Sequence, residues 1–169
     1  MVGDDPWSWI EMFWGAEKCA KWKSGVMNET IVDTEKLYNV MTLAYHVSGY
    51  WDKAICAFRP ISLSYDQKVL EISFHWLPCI SKSIKRKDRV STLHPFGEDM
   101  DKWPQEPVKT HGIMHVCTEC PIRSGEIIEL TTDDPVQYPL PTMELLLMRW
   151  HMSRIVALQG AANDEDEDV

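Results

Sequence analysis

Between Lys68 and Leu77 the chain reads KVLEISFHWL. Leu70, Ile72, Phe74 and Trp76 alternate with Glu71, Ser73 and His75. A side-chain period of two belongs to a strand that buries one face, so this stretch predicts a half-buried β-strand. A second strand-like run, ICAFRPISLSY, precedes it across Asp66-Gln67, and the pair predicts a hairpin. Pro60 has no N–H for a ladder and places the first strand at an edge or a bulge.

A hairpin with one apolar face needs something to cover it, and helical periods supply candidates on both sides. From Leu37 to Ala54, Val40, Leu43, Val47 and Trp51 recur every three or four residues and predict a helix. Gly49 weakens that helix by about 1 kcal/mol relative to Ala. Upstream, PWSWIEMFWGAEKCAKWKSGV predicts two short helices. Pro6 suits a first turn, Cys19 and Trp22 share one side, and Gly25 is a stop. Asn28 to Thr34 is turn-like. KTHGIMHVC and EIIELTT predict a second strand pair around Arg123-Ser124-Gly125. Thr142 is a helix cap for a last helix, Met143 to about Leu158, apolar enough to be buried on more than one side. The expected class is α+β, with a long C-terminal helix packed on antiparallel strands.

At 169 residues and 44% hydrophobic, the chain fits one domain with a real core. Residues 1–163 are expected to form that domain, with 80–107 a long basic and polar loop and 164–169 an acidic disordered tail. The net charge is −9, and without the tail's five acids it is −4. A broad basic face for nucleic acid is therefore not expected. No secretory leader or membrane-length apolar run is evident, so an intracellular place, cytoplasmic or nuclear, is expected, with the five cysteines reduced.

Three groups of residues are candidate sites. Asn39 and His46 lie seven residues apart, close to two helical turns, so on one helix they would share a face. A neutral imidazole can hold a divalent cation and an Asn can orient a neighbour. The bland alternative is a helix-start Asn and a partly exposed His. HGIMHVCTEC offers His111, His115, Cys117 and Cys120, enough for one tetrahedral zinc, but no partner cluster follows at finger spacing, and free thiols are the expectation. Lys82, Lys85, Arg86, Lys87 and Arg89 in KSIKRKDR could touch phosphates, although a solvated loop that keeps the domain soluble is the favoured reading. His75 and His151 fall within strand and helix patterns and read as structural. His94, in LHPFG, is the only His followed directly by Pro and is not expected to be catalytic. Most of the Trp residues, with Phe13, read as core.

The segment YNVMTLAYHVSGYWDKAICAFRPISLSYDQKVLEISFHWLP resembles a stretch of fungal proteins with an HNH-nuclease domain, as does SGEIIELTTDDPVQYPLPTMELLLMRWHMSRIVALQGAA near the end. With the Trp-rich start, the resemblance covers most of the chain, and the long loop matches least. It implies a scaffold related to the ββα-metal finger, in which a first His activates water, an Asn positions it and a later His binds the metal. Asn39 falls on that Asn. The later His falls on Ser48, and His46 stands two residues earlier, about 200° away around a helix. The first His should lie upstream of Trp7, and no His precedes position 46. Loss of a general base alone removes about 10²–10⁴-fold of rate. The resemblance thus implies a diverged or truncated HNH-like domain without a complete site, acting as a binding or interaction module and needing no cofactor. Its alternative is an active endonuclease using Mg²⁺ or Mn²⁺ at a rearranged site.

Overall fold

The computed structural model describes residues 5–28, 31–32, 36–77 and 112–159. The long loop 80–107 with its basic run, His94, His111 and the acidic tail 164–169 lie outside the described residues.

Two helices open the chain. Helix α1 spans Pro6–Trp14, capped by Asp5, whose Oδ1 accepts from the Trp7 amide at 3.1 Å. Gly15, at φ +86°, breaks the chain direction in a conformation that a side chain would strain. Helix α2, Ala16–Val26, buries Cys19 and Trp22. Gly25 does not end it. A Cβ there would lie 3.0 Å from Leu145 Cδ2, so glycine permits a close approach between helices. Two-residue strands β1 (Met27–Asn28) and β2 (Ile31–Val32) pair antiparallel after α2.

The expected long helix from Leu37 is shorter than its period implied. Leu37–Asn39 form a single 3-10 turn, residues 40–44 are not helical, and α3 runs from Tyr45 to Asp52. Across 40–44 the burial alternates, with Met41 and Leu43 packed on the core and their neighbours exposed. This is the period of an extended segment.

The hairpin is as expected. Strand β3 (Cys56–Leu63) pairs antiparallel with β4 (Val69–Trp76), and the register slips between Pro60 and Ser62. Pro60 therefore sits beside a bulge and in an edge strand. The third strand, β5 (Ile127–Thr131), pairs with β4, giving the order β3-β4-β5. It does not pair with the segment at 113–117. That segment turns back on itself, with Met114 bridged to Pro121 and Ile122 N–H donating to Ile113 O at 2.9 Å. The free edge of β4 offers a longer ladder than this turn can.

Helix α4 runs from Met143 to Gln159. The Thr142 carbonyl accepts from the Leu146 amide at 3.1 Å, but its hydroxyl has no hydrogen-bond partner, so its side chain is not the expected cap. The helix joins two apolar clusters. Leu146 packs with Cys56, Phe58, Leu70, Ile72, Phe74 and Trp76 on one face of the sheet. Trp150 and Ala157 pack with Ala57 and Leu77. Because α4 covers this second side, β4 is buried on both faces through its last residues, Ser73 and His75 included, and is not the half-buried strand its alternation predicts. Trp22, Trp76 and Trp150 are core, whereas Trp9 (54% exposed) and Phe13 (68%) face outward. Among the described residues no helix is long and apolar enough to cross a membrane.

Candidate functional site

Asn39 ends the 3-10 turn, ahead of the extended segment and α3. Its Nδ2 donates to the Gly25 carbonyl at 3.2 Å, tying the turn to the last residues of α2. It does not open the helix that carries His46. That His sits exposed in the first turn of α3, its ring edge-on to Tyr50 at 6.2 Å. The two residues therefore do not share a helical face, because five non-helical residues separate their elements. Ser48 is half-buried, two positions around α3 from His46. Among the described residues no three of His, Cys, Asp and Glu stand close enough to hold a metal ion.

The CxxC segment is a tight turn. The His115 amide donates to Cys120 O at 3.0 Å and the Glu119 amide to His115 O at 2.9 Å, with Glu119 at φ +54°. Cys117 and Cys120 are exposed free thiols. The His115 ring is instead hydrogen-bonded to Glu126. Burial pulls the Glu126 carboxyl upward, but the bonds from His115 and the Arg123 amide hold it below its ordinary value.

The buried polar residues lie elsewhere. On the α4 side of the sheet, Ser73 Oγ and His75 Nε2 share a hydrogen bond of 2.8 Å, and the His75 ring lies 5.0 Å from Trp150. His151 is set between Trp14 and Trp22, at 5.7 and 6.1 Å. Burial, then Arg59 and Arg154, lowers the His75 pKa to about 4. Burial, then Arg154, Lys18 and Arg59, brings His151 to about 4 as well. Both rings are neutral near pH 7, and each is packed against tryptophan rings.

A pocket of about 360 Å³ opens between the end of α2, the 3-10 turn, α3 and the start of α4. Its body is apolar, with Met41, Trp51, Leu145, Leu146 and Met148 among its walls. The charged pair on its lining is Asp52 and Arg149. Arg149 donates to Asp52 Oδ1 and to the Trp51 carbonyl, each at 3.2 Å, and stacks 5.4 Å from the Trp51 ring centre. Three lining residues also hold a covered polar atom with no hydrogen-bond partner: Asn39 Oδ1, Trp51 Nε1 and Thr142 Oγ1. Such groups are rare in folded proteins and each costs about 1–3 kcal/mol when left unpaired.

Sequence reasoning singled out Asn39 but placed it in another site. It took Trp51 as core and Thr142 as a cap. A signal was present in Arg149, one of two arginines within the largely apolar last helix. No family model, curated protein or solved structure matches this chain.

Proposed function

We propose that the chain is a binding module on a diverged HNH-nuclease-like scaffold, without a working nuclease site in its described part. The observation that carries this reading is the use of Asn39. Its carboxamide ties the 3-10 turn to α2 through Gly25, and the non-helical stretch 40–44 separates it from His46. An Asn that positions a catalytic His must face it, and this one is committed to a backbone carbonyl. Ser48 supports the same reading, since a hydroxyl is a poor substitute for imidazole on a catalytic metal. The basic run Lys82 to Arg89 remains a candidate phosphate contact within that role.

Supercoiled plasmid incubated with the protein and Mg²⁺ or Mn²⁺ tests the reading. The plasmid is expected to stay intact over hours, and Ser48→His is expected not to introduce cleavage. Metal-dependent nicking lost in Asn39→Ala or His46→Ala would replace the binding module with an active endonuclease at a rearranged site.

A further inference from the structure

We propose that Cys117 and Cys120 form a reversible dithiol–disulfide pair, oxidised by a low-molecular-weight disulfide such as glutathione disulfide and reduced again by the matching thiol. This goes beyond the binding-module reading and does not depend on it.

Three observations meet at this turn. The first is spacing. Two residues separate the thiols, and an extended chain would hold their Cα atoms about 10 Å apart. A disulfide needs about 4.4–6.8 Å. The second is the reversal of the chain. The His115 amide donates to the Cys120 carbonyl at 3.0 Å and the Glu119 amide to the His115 carbonyl at 2.9 Å, so the chain folds back on itself across 116–119. Glu119, at φ +54°, supplies a left-handed step. Reversals of this kind bring residues three apart to within about 7 Å, and rotation about side-chain bonds then closes the bridge. The loop also stands on a fixed base. The Ile122 amide donates to the Ile113 carbonyl at 2.9 Å, Met114 is bridged to Pro121, and Ile113 is buried in the core.

The third observation is access. Cys117 and Cys120 are exposed free thiols, whereas Cys19 and Cys56 are 5% and 0% exposed. Burial pushes the Cys56 thiol up to about 12, so it supplies almost no thiolate near neutrality. Cys79 lies outside the described residues. Among the described thiols, a reagent in solution therefore meets this pair first.

The reaction is two thiol–disulfide exchanges. One cysteine loses its proton and attacks a sulfur of glutathione disulfide. That S–S bond breaks, a mixed disulfide forms, and one glutathione leaves as its thiol. The second cysteine then loses its proton and attacks the protein sulfur of the mixed disulfide. The Cys117–Cys120 bond forms and the second glutathione leaves. Two electrons and two protons pass from the protein to the small disulfide, and excess glutathione reverses both steps.

The test equilibrates the full chain in glutathione redox buffers, blocks remaining thiols with iodoacetamide and maps the tryptic peptides by mass. Both cysteines fall on one peptide, 110–123, so the bridge shows as a loss of two hydrogens with neither thiol alkylated. At sub-millimolar glutathione the bridge is expected to exceed glutathione adducts by about tenfold, because a neighbouring sulfur acts at an effective concentration of millimolar or more. Cys117→Ser and Cys120→Ser are each expected to stop at the adduct on the remaining cysteine. The same equilibrium in denaturing urea needs no variant. There the parent is expected to shift about tenfold toward the dithiol, because the folded loop no longer holds the pair together. The proposal is overturned if peptide 110–123 stays fully alkylated in oxidising buffer, or if the parent collects adducts as the serine variants do. A bridge equally favoured in the folded and the unfolded chain also overturns it, since the fold would then contribute nothing to the pair.

Discussion

His75 shows how a single residue can make this fold sensitive to acid. Its folded pKa is about 4 because burial, and then Arg59 and Arg154, oppose a charge on the ring. The unfolded chain takes up that proton near pH 6.5. Above pH 6.5 the residue has no pH-dependent effect on stability. Between about 6.5 and 4 the unfolded state gains a proton that the folded state refuses, so stability is lost as the pH falls. A gap of that size corresponds to about 3 kcal/mol for a fully buried ring. His151 acts in the same direction. Denaturant unfolding at pH 7, 5.5 and 4 is expected to show a steep decline, with His75→Gln flattening it. An unchanged decline in His75→Gln would place the acid sensitivity in other groups. Asn39 gives a second residue-scale expectation. Asn39→Ala removes the bond to Gly25 but also an unpaired buried acceptor, so the two effects oppose. The variant should remain folded, within about 1 kcal/mol of the parent by chemical denaturation.

Helix α4 is the element on which both apolar clusters depend. Trp150, 3% exposed, packs with Ala57 and Leu77 and against the His75 ring. Trp150→Ala should cost about 3–5 kcal/mol and leave a marginal domain largely unfolded at room temperature. A folded variant with near-parental stability would mean the helix is not the anchor described. The contact between α2 and α4 is tight at one point, where Gly25 meets Leu145. Gly25→Val should therefore cost about 1–3 kcal/mol in thermal or chemical unfolding, as overpacking does. The hairpin could be read from the sequence because a period of two dominates β4, and α4 because a long, broadly apolar run follows the prolines at 135–141. Residues 40–44 could not, because VMTLA satisfies two periods at once. Val40 and Leu43 fit a helix, whereas Met41 and Leu43 fit the extended chain that forms. The partner of β5 was also hidden, since strand pairing across about fifty residues leaves no local mark. The second buried face of β4 escaped for the same reason. Ser73 and His75 are polar by type and become interior only when α4 arrives.

In the molecule as a whole, a three-stranded antiparallel sheet carries helices whose junctions create both the core and a pocket. The α+β class was legible in the sequence, but the pocket was not, because its residues come from four separate segments and none forms a motif. Asn39 was conspicuous in the sequence for a nuclease role, yet its amide ties two segments of scaffold together. The central claim is that Asn39 and His46 do not form a common metal site. Its most direct measurement is a Mn²⁺ titration of the ¹⁵N-labelled chain, reading paramagnetic broadening of the Asn39 side-chain amide and the His46 ring. The account predicts no saturable broadening common to the two groups at stoichiometric Mn²⁺. Saturable broadening of both, abolished by His46→Ala, would contradict it.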